Sequence, residues 1–156
     1  MEHYLADWRA ARPDLDLDAL EIISRLSHTA RLVEAMAEGI ARAHGMKLGE
    51  ALVLLALLRN GGKPMTPGEL GRAVWVTSGG MTYRIDKLER PGLLQREQDQ
   101  ADRRLVRIGL TPAGRLTADS IQTQINAMQA KAVQALSARD RKVVTAAMET
   151  IRRDVQ

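Results

Sequence analysis

The chain has 156 residues, of which 45% are hydrophobic and 3% aromatic, with no phenylalanine and no cysteine. This size suits one compact domain with a core of aliphatic side chains, which favours helix over sheet. The lack of cysteine excludes disulfides, thiolate metal sites and thiol-based redox sensing. The formal net charge of +4 indicates nucleic-acid binding only if a motif supports it.

The charge is uneven along the chain. Residues 66–115 carry nine basic and six acidic groups, a surplus of three, whereas residues 1–65 carry eight basic and nine acidic groups. The start of the chain lacks the apolar run and basic flank of a secretory signal, and no later stretch has the length and apolarity of a membrane span. We therefore expect a cytoplasmic protein whose basic surplus lies in the middle of the chain.

Two helices are predicted in the first part of the chain. Apolar residues recur at steps of three and four between positions 20 and 40, which predicts a long amphipathic helix over about residues 17–44. Gly45 follows as a helix-ending glycine. The segment GEALVLLALLRNGG (49–62) predicts a shorter, more apolar helix that Gly61 and Gly62 stop.

Two short helices with a tight turn between them are predicted next. In TPGEL, Thr66 is an N-cap, Pro67 suits the first helical position and Glu69 completes a capping box, so a helix is expected over about residues 67–73. The second helix is capped by Thr77 or Ser78 and runs to about residue 89. Its buried face is Met81, Ile85 and Leu88, and its outer face is Ser78, Gly79, Thr82, Tyr83, Arg84 and Lys87.

From residue 93 the apolar residues alternate with polar ones instead. LLQRE (93–97) and RLVRIGL (104–110) alternate in this way around a polar stretch, which predicts a β-hairpin with its loop near residues 98–103. Thr111 and Pro112 then repeat the Thr-Pro helix start, and this helix is expected to extend through about Leu136. In SARD (137–140), Ser137 can cap a last helix.

This order of elements is that of a winged helix-turn-helix. The segment TSGGMTYR (77–84) suits a recognition helix, because small and hydrogen-bonding side chains at its amino end let the helix enter a major groove about 12 Å wide. The stretch 65–115 resembles the winged helix-turn-helix of MarR-type transcriptional regulators in several linked motifs. They are ELGRAV before the turn, SGGMTYRIDKLE in the recognition helix, GLLQRE into the wing, DQADRR at its tip and LTPAGR into the next helix.

The resemblance implies a mainly helical winged helix-turn-helix with a small β-hairpin wing and an intertwined homodimer. Residues 48–110 would form the DNA-binding lobe, and residues 1–47 and 111–156 the dimerisation helices. Such a dimer reads the two halves of a palindromic operator in double-stranded DNA. The long apolar faces of the outer helices agree with this, because one small lobe hardly covers them. A bundle that turns these faces inward within one chain is the alternative.

By position, the resemblance implies DNA contacts from the recognition helix. The expected residues are Thr77, Ser78, Gly79, Gly80, Thr82, Tyr83, Arg84 and Lys87. The two glycines permit close approach of the backbone, and Lys87 suits a phosphate. Tyr83 stands where many family members have a basic residue, so we expect it to stack or to donate a hydrogen bond to a phosphate.

In the wing, Asp102 and Arg104 match the family's Asp-x-Arg signature. The resemblance implies that Arg104 enters the minor groove, an insertion that narrow A·T-rich grooves favour. Asp102 is expected to hold the loop, by pairing with either Arg103 or Arg104. We expect Arg103, Arg96 and Arg107 to be solvated or salt-bridged rather than to read bases. Of these three, Arg103 is also a candidate DNA contact.

Family members commonly respond to small aromatic or lipophilic effectors, so the resemblance also implies a repressor that such a molecule releases. The candidate effector-binding residues are Trp8, His28, Met36 and Trp75. The three histidines lack metal-ligand spacing, and glycine-rich phosphate loops, nucleophile elbows and HExxH are missing, so we expect no metal, no cofactor and no enzyme. The alternative function is a winged-helix adaptor that binds protein instead of DNA.

Overall fold

A computed structural model describes residues 2–74, 78–99, 102 and 104–155 of the chain. Within these ranges the elements are α1 (Glu2–Ala11), α2 (Asp18–Ala43), α3 (Leu48–Arg59), α4 (Pro67–Val74), α5 (Ser78–Glu89), β1 (Leu94–Gln98), β2 (Val106–Leu110), α6 (Pro112–Ala132) and α7 (Ala138–Asp154). The two strands pair as an antiparallel hairpin. The predicted mainly helical fold with a small hairpin wing is confirmed.

Helix α3 is the centre of the core. Its Val53, Leu54 and Leu57 are fully buried, because α2, α4, α5, α6 and β2 all pack around it. A helix surrounded in this way is apolar on every side, as its sequence indicated. Glycines with positive φ lie just beyond the ends of α2 and α3, at Gly45 (74°) and Gly61 (69°), where a left-handed residue ends a helix at little steric cost.

Side-chain caps begin the helices that flank the hairpin. At α4 the Thr66 backbone N–H donates to Glu69 Oε2 at 2.7 Å, and the Glu69 N–H donates to Thr66 Oγ1 at 3.3 Å, which is the predicted capping box. At α6 the Gly114 N–H donates to Thr111 Oγ1 at 3.0 Å, as the Thr-Pro signal indicated. These two caps fix both ends of the winged region.

The predicted end of α6 is wrong by about one turn, since the helix ends at Ala132 and not near Leu136. The cause is the cap of the following helix. Ser137 accepts a hydrogen bond from the Asp140 N–H at 3.1 Å, and its backbone is extended, with ψ of 161°. The chain therefore has to leave the helical path before residue 137. The predicted cap of α7 is confirmed.

Helix α1 is an addition that the sequence patterns did not indicate. It lies against the start of α2, where Arg9 donates to Glu21 at 3.1 Å, and its Leu5 is 2% exposed. One buried side chain in ten residues leaves little helical periodicity to detect.

The hairpin is joined to the helices on both sides. Met65, just before α4, exchanges two backbone hydrogen bonds with Ile108 on β2, at 3.0 and 2.8 Å. At the other end, α6 lies directly on the turn after α5: a Cβ at position 114 would be 1.9 Å from the carbonyl oxygen of Leu93. Only glycine fits this contact, which holds α6 close to the winged lobe.

Large apolar side chains remain exposed on the outer helices. Examples are Ile22 and Leu32 on α2, at 55% and 54%, and Val143 and Met148 on α7, at 60% and 47%. No described residue of α7 is buried within its own chain. Helices with this much uncovered apolar surface are typical of interfaces. In the described ranges, each helix is either too short or too polar to traverse a lipid bilayer.

Candidate nucleic-acid interface

Helix α5 separates a buried face from an outer face as predicted. Met81, Ile85 and Leu88 are at most 2% exposed, so they fasten the helix to the core. Thr82 and Tyr83 lie on the other side, and Tyr83 is 56% exposed. The helix is thus held rigidly while its polar side chains face outward.

Lys87 lies one turn after Tyr83 on the same outer face. Its Nζ is 5.8 Å from the centre of the Tyr83 ring, within the range of a cation–π contact. A positive charge is therefore present beside Tyr83, although position 83 itself is not basic.

Arg84 takes a position that the sequence did not indicate. Instead of extending outward, it is half-buried, with its guanidinium against the backbone of Gly49 in the first turn of α3. A Cβ at position 49 would be 2.8 Å from Arg84 Nη2, so the missing side chain makes room for the arginine. The same cleft is lined by Glu34 and Glu50. Arg84 thus reaches from α5 to the first turn of α3.

The wing holds its tip through the backbone. Asp102 Oδ1 accepts from the main-chain N–H of Arg104 at 2.9 Å, and the Asp102 N–H donates to Asp99 Oδ1 at 3.0 Å. Arg104 is exposed, and no carboxylate in the described part of the chain pairs with its guanidinium. Asp102 therefore contacts Arg104 through the main chain, and Arg103, the other expected partner, lies outside the described residues.

Arg96 and Arg107 are salt-bridged, as expected. Arg96 on β1 contacts Asp86 at 2.5 Å and Glu89 at 3.4 Å, and both acids belong to α5. The guanidinium of Arg107 on β2 donates through Nε to Asp99 Oδ2, and this hydrogen bond raises the pKa of Arg107 above its ordinary value. The two arginines fasten the hairpin to its surroundings.

Other predicted contact residues lie at the limits of the described ranges. Thr77 and Arg103 are outside the described residues, as is Trp75. Ser78 and Gly79 form the first turn of α5, and Gly80 is half-buried. Ser78, one of the two predicted caps, lies within α5, and Thr77, the other, lies outside the described residues.

A large cavity of about 990 Å³ lies between the outer helices and the winged lobe. Its lining is mostly apolar, with Leu52 and Leu55 from α3, Met128 from α6 and Met148 from α7, and with the polar side chains of Glu34, Arg59, Gln122 and Gln129. The candidates Trp8, His28 and Met36 are not among the residues that line it. The sequence offered no signal for this cavity, because several distant elements contribute to its walls. The described residues contain no cluster of His, Asp or Glu suited to a metal ion.

Comparison with known proteins finds relatives of this region. Residues 44–105 match the model of the MarR family. The HTH-type transcriptional regulator PecS of Dickeya dadantii is 33% identical over 109 residues, 69% of this chain and 65% of PecS. The match thus spans slightly less than two thirds of that relative.

Solved structures share the fold. The MarR family transcription regulator SP03579 superposes with a TM-score of 0.81 at 18% identity, over 94% of each chain. Streptococcus pneumoniae FabT, solved in complex with DNA, superposes with a TM-score of 0.78 at 23% identity, over 88% of this chain and 97% of FabT. The matched residues 44–105 include α3, α4, α5 and β1 and reach the wing, so the likeness to the MarR family covers the helix-turn-helix.

Proposed function

We propose that this chain is a transcriptional regulator that binds double-stranded DNA as a homodimer at a palindromic operator. Residues 48–110 form the DNA-binding lobe, and residues 1–47 and 111–156 provide the dimerisation helices. One observation carries the proposal: α5, fixed by three buried side chains, presents Thr82, Tyr83 and Lys87 on its outer face, while the adjoining wing presents an exposed Arg104.

In this proposal α5 enters the major groove. Thr82 offers a hydroxyl to a base edge or a phosphate, and Lys87 with Tyr83 binds the flanking phosphates. The first turn of the helix approaches closely through Gly79 and Gly80, with Thr77 and Ser78 beside them. Arg84 holds the helix on α3.

The wing supplies the second contact. Arg104 enters the minor groove, where an arginine is attracted to the negative potential of narrow A·T-rich sequences. Arg103 accompanies it at the phosphates. The main-chain hydrogen bond to Asp102 leaves the Arg104 guanidinium available to DNA.

The uncovered apolar faces support a homodimer. Helix α7 buries no residue within its own chain, and α2 exposes several large apolar side chains. A second copy covers such faces by symmetry, since the same patch on both chains is complementary to itself. Dimerisation also places two α5 helices on one side of the assembly for two half-sites.

The 990 Å³ cavity supports regulation by a small apolar molecule, because it lies between the outer helices and the lobe. A ligand wedged there shifts α2 relative to α3, and hence the two recognition helices relative to each other. We propose repression that such a ligand relieves.

The proposal is tested by selecting bound duplexes from a random pool and titrating the selected site in gel shifts. We expect a palindrome with half-sites about one helical turn apart. Arg104→Ala should weaken binding by about 1–3 kcal/mol while the dimer remains intact in light scattering. Wild-type affinity of Arg104→Ala would refute the role of the wing.

Salt dependence separates DNA binding from the adaptor function. A regulator that neutralises several phosphates loses affinity steeply as salt rises. An affinity for duplex DNA that stays flat from low to high salt would favour a protein-binding adaptor.

A further inference from the structure

The buried carboxylate of Asp99 lies at the base of the wing. Asp99 is 8% exposed and is the one charged residue that is buried within the described ranges. Oδ1 accepts from the main-chain N–H of Asp102 at 3.0 Å, and Oδ2 accepts from Arg107 Nε. Its own N–H donates to the carbonyl of Leu105 at 3.0 Å. Asp99 therefore ties both sides of the loop together.

Arg107 extends this network to α4. Its Nη1 is 4.0 Å from Glu69 Oε2, and the same Glu69 oxygen accepts from the Thr66 N–H at 2.7 Å. Contacts thus run from the main chain of Arg104, through Asp102, Asp99 and Arg107, to the capping box of the first helix of the helix-turn-helix. The backbone bridge between Met65 and Ile108 lies at the same junction.

The choice of partner by Arg107 is informative. Glu97 is the residue directly across the hairpin from Arg107, and such a pair usually attracts. Yet Glu97 is exposed and accepts from Gln95 at 2.6 Å, while Arg107 donates to the more buried Asp99. A buried acid with a fixed cation is costly to desolvate, so this pair contributes more to geometry than to stability.

We infer that Asp99 and Arg107 are positioning residues that fix the wing tip, and with it Arg104, relative to α4. This inference rests on the proposed DNA binding. Neither residue needs to touch DNA, because each acts by holding the loop from which Arg104 reaches the groove. Loss of either Asp99 or Arg107 leaves the Arg104 side chain itself unchanged, but the loop no longer fixes its position. Part of the Arg104 contact with DNA is therefore lost.

The decisive variant is Asp99→Asn, with Glu97→Gln as the matched control. Each removes one negative charge from the hairpin, which by long-range electrostatics alone favours DNA binding. In Asp99→Asn an amide N–H₂ replaces Oδ2 and meets the Arg107 donor, so the tie is broken. We expect Asp99→Asn to weaken binding about tenfold, against the charge effect, and Glu97→Gln to bind as tightly as the wild type or tighter.

A double-mutant cycle with Arg104→Ala distinguishes positioning from general damage. If Asp99 acts through Arg104, Asp99→Asn in the Arg104→Ala background should change affinity by less than about twofold. An equal loss in both backgrounds, or no loss in the wild-type background, overturns the inference.

Hydrogen exchange in the free protein tests the network without DNA. Asp99→Asn should speed exchange of the Asp102 and Arg104 amides about tenfold, the effect of losing roughly one hydrogen bond, and Glu97→Gln should leave it unchanged. Arg107→Gln should do the same as Asp99→Asn and replaces it if that variant does not fold. If the wild-type protein binds no selected duplex, the proposed function is wrong. If amide exchange at Asp102 and Arg104 is unchanged in both Asp99→Asn and Arg107→Gln, the positioning network is wrong.

Discussion

Gly114→Ala tests the close contact between α6 and the turn after α5. The added Cβ would be 1.9 Å from the carbonyl oxygen and 2.8 Å from the carbonyl carbon of Leu93. Both are backbone atoms, so no side chain can rotate away. An ordinary contact of about 3.4 Å requires the two backbones to separate by about 1.5 Å.

The cost follows from what this separation breaks. Forced overpacking costs about 1–3 kcal/mol. The shift also strains two hydrogen bonds, from Thr111 Oγ1 to the Gly92 carbonyl at 2.6 Å and from the Thr111 N–H to the Leu93 carbonyl at 3.2 Å, each contributing about 1 kcal/mol. Alanine is also a better helix former than glycine, which stabilises α6 by about 1 kcal/mol. The expected net loss is about 2–4 kcal/mol in the free energy of unfolding.

Gly39→Ala is the matched control, because Gly39 lies within α2 and a Cβ there meets nothing within 4 Å. It should stabilise the protein by about 0.5–1 kcal/mol. Urea unfolding at fixed protein concentration measures both variants, and a loss of about 2–4 kcal/mol lowers the midpoint by about 1–2 M for a slope near 2 kcal/mol/M. Gly114→Ala as stable as Gly39→Ala would refute the tight contact.

Three further predictions concern the dimer helices, Arg84 and acid stability. Removal of residues 137–156 should give aggregated or unfolded chains, because in the proposed dimer α7 covers apolar surface of a second copy; a stable, soluble monomer in light scattering would contradict that dimer. Gly49→Ala should change the free energy of unfolding by less than about 1 kcal/mol, because the flexible Arg84 guanidinium can move away from the added methyl group. A gel shift then measures how the displaced Arg84 changes the affinity for DNA. A loss of stability well above about 1 kcal/mol would contradict the expected movement of Arg84. Hydrogen bonds from Thr66 hold the pKa of Glu69 below its ordinary value, so its stabilising effect is present above that ordinary value and is lost as pH falls through the lowered one. Thermal melts from pH 7 to pH 3 should therefore show the stability advantage of wild type over Glu69→Gln shrinking in acid, and a gap that widens would refute it.

Local signals account for the parts of the fold that the sequence predicted well. The capping box of Thr66 and Glu69 and the Thr111 cap act within three residues of the chain, so they are legible without tertiary structure. The same is true of the α5 face made by Met81, Ile85 and Leu88, where a helical period shows which side is buried.

Features that depend on contacts between distant residues could not be predicted. Arg84 lies against Gly49, thirty-five positions earlier, and nothing in the sequence indicates that this glycine makes room for it. Asp99 was one of several acids in a polar loop, and its contacts with Asp102, Leu105 and Arg107 arise only when the hairpin folds. The sequence placed the end of α6 too late because two local signals disagreed. The apolar pattern continues to about Leu136, whereas the Ser137 cap requires the helix to end earlier.

Arg96 has a consequence for which DNA sequences are accepted. Because its guanidinium bridges Asp86 and Glu89, and Leu94 on the same strand is buried in the core, the base of the wing is held against α5. Within the proposed function, neither α5 nor the wing moves separately to fit a duplex whose major and minor grooves are wrongly spaced. The DNA has to bend or twist instead. Base pairs that the protein never touches are then selected by how easily they deform.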